Sequence, residues 1–315
     1  MTFTLGIAGI TGKFARRILA RLLKQTPELQ IRGYCRQFKN LPVALLTADN
    51  VQIVQGAHDD IENIHTFVQG CDVVICCYLG GPDVMTNGQK FLIDACEEAG
   101  VPRYIASDYS LDYTGLDYGD IPPKDAMKDV LEYISTKKSV RGVHVLIGGF
   151  METLFSPFFG LYDAQDNVLS YWGDEESVWE STTYGNAADF VAKIALDPEA
   201  TGFQRFIGDR KTTIQIGQAL REVYGQKPTL KNRGSLQDLR ARIKQLRDRD
   251  PVNVFSYLAL SYQYYCLTGK GTIPKQSENT KYSDIQHESF QDFFRGRSRL
   301  AIPFANAEVG SSLVI

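Results

Sequence analysis

Apolar residues come in short runs separated by amphipathic stretches, and the alternation is regular over the first half of the chain. Residues 3–7 read as a buried strand, while 13–23 place apolar positions three and four apart, the period of a helix lying on a core. Further strands are predicted at 29–35, 51–55, 72–77, 103–106 and 143–147, with helices at 59–68, 87–99 and 125–138. The second of these helices is closed by Gly100, with Pro102 just beyond it. Val73, Val74 and Ile75 follow one another without a polar break, as they must in a parallel strand covered on both faces. Parallel neighbours need crossovers, so the order predicts an α/β fold built on a doubly wound parallel sheet.

Past Gly149 the alternation fades. Residues 150–180, rich in aromatics and glycine and holding Trp172 and Trp179, read as loops and short elements above the strand ends. Helical spacing resumes at 186–196, through Ala187, Phe190, Val191 and Ile194, which predicts a return to the main domain. Helices follow at 213–224 and 235–249; in the latter, aspartates among the arginines mark a solvated helix over the stripe Leu239, Ile243 and Leu246. The aromatic stretch 255–266 reads as a core helix. The expected division is a sheet domain at 1–150 and a smaller C-terminal α/β substrate lobe at 151–315, with segments around 184–212 returning to the first.

A length of 315 residues suits such a two-part molecule, and a net charge of −3 argues against nucleic acid or an anionic membrane as partner. No window approaches the ~20 apolar residues of a membrane span and no secretory pattern opens the chain, so a cytoplasmic monomer or homodimer acting on a small molecule is expected. Six cysteines without metal spacing read as reduced core thiols, and four histidines, none at an i, i+4 spacing, predict no zinc.

The chemistry is concentrated in Gly6-Ile7-Ala8-Gly9-Ile10-Thr11-Gly12, between the first strand and the first helix. That is the arrangement of a dinucleotide-binding Rossmann turn: Gly6 for the tight turn, Gly9 for close approach to the pyrophosphate, Gly12 for helix packing, and free N–H groups at the helix start. Ile10, Thr11 and Lys13 belong to the same cofactor contact. Where an acidic residue would bond a free ribose hydroxyl, the second strand ends in Arg36, with Lys39 nearby. A guanidinium grips a 2′-phosphate through paired donors, which predicts NADP(H); the plain alternative is a loop cap. Cys77 and Tyr78, ending the fourth strand, are expected to border the nicotinamide, with Phe150 forming the far wall. Ser107, ending the fifth strand, is a candidate for substrate or ribose contact, or a turn cap.

These features, with Gly56-Ala57-His58-Asp59-Asp60 and Tyr104-Ile105-Ala106-Ser107-Asp108-Tyr109, resemble the NmrA-like and isoflavone-reductase-like branch of the atypical short-chain dehydrogenases over nearly the whole chain. The segment 262–294 looks like fungal members from specialised metabolism. The resemblance implies an NADPH-dependent reductase delivering hydride to a carbonyl, enone or imine of a small aromatic or polyketide-like metabolite. It also implies a catalytic lysine, matched by Lys128, with Lys124 one turn away on the same flank, where two ammonium groups would depress each other's pKa. The tyrosine slot four residues before that lysine holds Lys124, and the literal Tyr133 to Lys137 pair lies off the flank. Tyr109, Tyr113 and Tyr118 share the preceding loop; Tyr109 is carried with Ser107 and Lys128 as catalytic, although the residues themselves do not choose among the three phenols. Two alternatives stay open: a redox-sensing regulator that binds NADP(H) without turnover, and a non-redox isomerase, dehydratase or cyclase on the same fold.

Overall fold

All pairings in the main sheet are parallel, and both its faces are covered by helices. The computed structural model describes residues 3–308. The chain runs β1 (Thr4–Ala8), α1 (Lys13–Gln25), β2 (Gln30–Cys35), α2 (Val43–Leu46), β3 (Val51–Gln55), α3 (Ile61–Val68), β4 (Val73–Cys76), α4 (Pro82–Ala99), β5 (Arg103–Ile105), α5 (Pro122–Ser135) and β6 (Arg141–Leu146). It continues through β7 (Gly149–Phe150), α6 (Met151–Leu154), β8 (Tyr162–Asp163), β9 (Val168–Tyr171), β10 (Val178–Thr182), α7 (Tyr184–Leu196), β11 (Gly202–Arg205) and β12 (Asp209–Thr212). Then come α8 (Thr213–Tyr224), β13 (Thr229–Asn232), α9 (Leu236–Arg249), α10 (Phe255–Leu267), α11 (Phe290–Arg295) and α12 (Ala305–Glu308).

The seven-stranded sheet has the order β11-β6-β5-β4-β1-β2-β3, the doubly wound topology that the alternation predicts. α1 buries Ala15, Ile18, Leu19 and Leu22 against one face together with α7, while α3, α4 and α5 cover the other. Arg103 locks α7 in place: its guanidinium is 2% exposed and donates to the carbonyls of Ile194, Ala195 and Asp197 at 2.7–3.0 Å, satisfying the last turn of that helix.

α4 starts at Pro82, earlier than the pattern at 87–99 suggests, because Gly81 and Pro82 form a helix start and Gly88 is a packing glycine, not a break. A Cβ at Gly88 would lie 3.1 Å from His58. α5 likewise begins at Pro122. The region 150–180 holds β7 to β10 and α6, more regular structure than its composition suggests. The return to the sheet runs through α7 and β11; β12 then pairs antiparallel with β10 in a small second sheet. A third sheet joins β13, β9 and β8. The lobe core is aromatic, with Phe155, Trp179, Phe290 and Phe294 buried. Gly148 makes the exit from β6 at φ +69°, and a Cβ there would stand 2.7 Å from the Glu180 carbonyl oxygen.

Candidate functional site

The strand ends of β1 to β4 surround a cavity of about 400 Å³. It lies where the sheet order reverses direction between β1 and β4, the crevice in which doubly wound sheets bind ligands. Its walls are Gly9, Thr11 and Gly12 after β1, Arg36 after β2, Gly56 and His58 after β3, and Cys77 to Gly81 after β4, with Val84 from α4.

Gly9 turns the chain at φ +77°, and its N–H donates to the Tyr34 carbonyl at 2.8 Å. A Cβ at Gly9 would stand 2.9 Å from the Cys77 carbonyl oxygen and 3.3 Å from the Tyr78 ring, so only glycine leaves this approach open. Gly12 is the N-cap of α1; no side chain caps that helix and no acidic residue occupies its first turn, so its N–H groups and positive end are left for an anion. Gly6 does not make the tight turn. It lies inside β1, paired with Arg32 and Val74, and a Cβ there would meet Phe67, Val74 and Cys71 at 3.1–3.2 Å. Its glycine serves sheet-to-helix packing, one step removed from the ligand.

Arg36 is exposed at the cavity edge, with no hydrogen bond or ion pair among the described residues. Lys39, also exposed, sits in the short turn Phe38–Asn40. Across the cavity Tyr78 forms a wall, its hydroxyl buried without a partner; burial pushes that phenol far above its ordinary pKa. His58 Nε2 meets Asp83 Oδ2 at 2.7 Å and ties the β3 loop to α4. Tyr34 donates to the Ala57 carbonyl at 2.6 Å beneath it. The glycine turn, uncapped helix, unpartnered guanidinium and orphaned phenol together fit a dinucleotide carrying an extra phosphate. His58, Tyr34 and Val84 were not among the sequence candidates; the signal for His58 was its place in the turn after the third strand.

Other sequence candidates lie outside the cavity lining. Ile10 is fully buried in the core beside Gly33, and Lys13 donates to the Asn306 carbonyl at 3.1 Å. Phe150 stacks on Tyr184 with ring centroids 3.9 Å apart, edge-on to Phe14. Ser107 is buried and gives its hydroxyl to the Tyr78 carbonyl, while its N–H donates to the Gln89 side chain at 3.0 Å. None of the three loop phenols is free. Tyr109 donates to the Cys76 carbonyl at 3.0 Å, Tyr113 to Asp108 at 2.9 Å, and exposed Tyr118 to Asp129 at 3.1 Å. Burial holds the Tyr109 phenol well above its ordinary pKa.

The two lysines of α5 diverge instead of facing one another. Lys128 donates to the Leu116 carbonyl and stands 4.8 Å over the Tyr118 ring, whereas Lys124 turns toward Met127 and α10. Tyr133 and Lys137 both bind Asp94 on α4, away from the cavity.

Residues 9–138 match the NAD(P)H-binding family. Among curated proteins, the chain is 28% identical to the oxidoreductase AprR of Aspergillus flavus over 183 residues, covering 56% of this chain and 59% of that protein. It is 26% identical to an NmrA-like family domain-containing oxidoreductase of Gibberella moniliformis over 184 residues, 58% of this chain and 59% of the other. The chain thus spans about three fifths of the length of the relatives it matches. Among solved structures, AtPrR2 with NADP+ and (+)pinoresinol superposes with a TM-score of 0.76 at 16% identity, covering 94% of this chain and 98% of that one. The first part of this chain is thus similar to NAD(P)H-binding domains, both curated relatives are named as oxidoreductases, one of them NmrA-like, and the fold shared with the solved structure extends over the C-terminal part as well.

Proposed function

We propose that this NAD(P)H-binding protein is an NADPH-dependent reductase acting on a carbonyl, enone or imine of a small, flat, aromatic or polyketide-like metabolite. The observation that carries the reading is the cavity itself, with Gly9 and the uncapped α1 at its centre and unpartnered Arg36 at its edge. Arg36 supplies paired donors for a 2′-phosphate, and α1 receives the pyrophosphate. NADPH, when bound, supplies the hydride. The protein places the acceptor carbon, excludes water and balances the negative charge that collects on the acceptor oxygen. Tyr78 joins the two halves of the site: it lines the cavity and also packs on the apolar cluster of Met85, Met127 and Leu258. That cluster suits a flat apolar substrate. No helix among the described residues is long and apolar enough to cross a membrane, and the six free thiols support a reducing, cytoplasmic setting.

Calorimetric titration with NADPH and NADH, followed by NADPH oxidation against aromatic carbonyls, enones, imines and quinones, tests the reading. Preference for NADPH and turnover of at least one compound class support it. Tight NADPH binding with no oxidation of any class overturns it in favour of a cofactor-sensing regulator, and product formation without nicotinamide favours an isomerase or cyclase.

A further inference from the structure

Lys124, in the first turn of α5, is 3% exposed, and its ammonium reaches no oxygen acceptor among the described residues. Its contacts are Met127 Sδ at 3.4 Å and the face of Tyr262, from α10, at 5.3 Å. A thioether is a weak acceptor, and removing a lone ammonium from water is costly. Natural interiors leave few such groups, and each needs a reason. Lys128 presents no such puzzle, since a backbone carbonyl and an aromatic face occupy it.

The surroundings define what would fill the gap. Met127 belongs to an apolar cluster bordered by half-buried Tyr78, Tyr262 and Cys266, and Tyr78 carries that cluster to the cofactor cavity. Burial pushes the Cys266 thiol up, the carboxylate of Glu180 adds to that push, and Lys124 opposes it, so Glu180 is a nearby carboxylate. It is already committed to Arg210 at 2.6 Å and to the Ile273 N–H at 2.7 Å, so it does not neutralise the lysine.

We propose that the Lys124 ammonium, framed by Met127, Tyr262 and Cys266, is a subsite for the oxygen anion of a planar phenolic or enolic ligand, and that Lys124 rather than Lys128 meets the acceptor oxygen. The second clause rests on the reductase reading; the subsite stands or falls alone. In the reductive step, hydride forms the new C–H bond and the C=O π pair moves to oxygen. The ammonium balances that charge and gives it a proton, leaving alcohol and NADP+, and the amine regains its proton from water.

The test uses 4-nitrophenol, whose phenolate is yellow, titrated with the full chain with and without NADP+ at a pH about one unit below the probe's own pKa. Beside Lys124 the bound probe gives its proton to the buffer, and its phenolate-to-phenol ratio rises about tenfold over the free probe. Lys124→Met and Lys124→Gln lose that rise and, because an unpaired buried charge is gone, melt no lower than the parent. Lys128→Met keeps the rise. Probe that binds without ionising, probe that fails to bind at millimolar concentration, a rise lost in Lys128→Met but kept in Lys124→Met, or Lys124 variants that no longer fold would each overturn the proposal. Since the readout needs no hydride transfer, failure of the reductase reading would show separately, as absent NADPH oxidation.

Discussion

Ser107 donates its hydroxyl to the carbonyl oxygen of Tyr78 at 2.7 Å, joining the end of β5 to the loop after β4. This bond fixes the height of the Tyr78 wall over the cavity. Ser107→Ala leaves a shielded carbonyl without its donor, so denaturant melts should show a loss of about 1 kcal/mol, with NADPH affinity weakened a few-fold. A variant with unchanged stability and affinity would make the bond incidental.

Arg36→Ala should separate the two cofactors. Losing a charge-assisted pair of donors costs about 2 kcal/mol, roughly thirtyfold in NADPH affinity, while NADH affinity stays nearly constant. Equal weakening of both in calorimetry would remove the 2′-phosphate assignment.

Gly9→Val should abolish NADPH binding, because the new side chain fills the space in front of the Cys77 carbonyl. Since φ is +77°, the variant also carries about 1–3 kcal/mol of backbone strain, visible as a lowered melting temperature with the fold retained by circular dichroism. Full NADPH affinity in this variant would contradict the cavity's assignment.

Glu152 predicts a pH dependence. Its carboxyl is 5% exposed, accepts the Tyr184 N–H at 3.1 Å, and burial lifts its pKa to about 7 against the pull of that N–H, Arg297 and Arg17. The folded value exceeds the unfolded one, so the folded state holds the proton more tightly and stability falls as pH rises between the ordinary carboxylate range and about 7. The loss is on the order of 3 kcal/mol. Urea melts at pH 5 and pH 8 should show Glu152→Gln losing less stability than the parent over that interval; parallel losses would refute the assignment.

Asp108 and His144, both nearly unexposed, meet at 2.7 Å under α5, with Tyr113 on the same carboxylate oxygen. His144→Leu takes away the imidazole and leaves that oxygen with Tyr113 alone, and should cost about 1–3 kcal/mol in equilibrium unfolding. A cost below about 1 kcal/mol would mean that the imidazole adds nothing to what Tyr113 supplies.

The sheet, its helices and the cavity's main walls were legible because each follows from local pattern. Apolar strands of parallel type, helical spacing and a glycine turn are properties of short stretches, and Gly9, Thr11, Gly12, Arg36, Cys77 and Tyr78 do line one cavity. Gly6 was misread because spacing alone does not tell a turn glycine from one that makes room for Phe67, a residue sixty-one positions away on α3. His58 and Asp83 were missed as a pair for the same reason, since β3 and α4 meet only after the sheet has formed.

What the sequence by itself determined is the order of elements, the dinucleotide turn and the charge at the end of β2, all set by backbone conformational preference and hydrophobic period within a few residues. Only the tertiary structure decided which polar groups remain available. Ser107, Tyr109, Tyr113 and Lys128 have their donors taken by carbonyls or carboxylates from other segments, while the Lys124 ammonium is left facing sulfur and an aromatic ring. The reason is physical: folding spends a side chain's hydrogen bonds on whichever acceptor packing brings near, and that acceptor is seldom a neighbour in sequence.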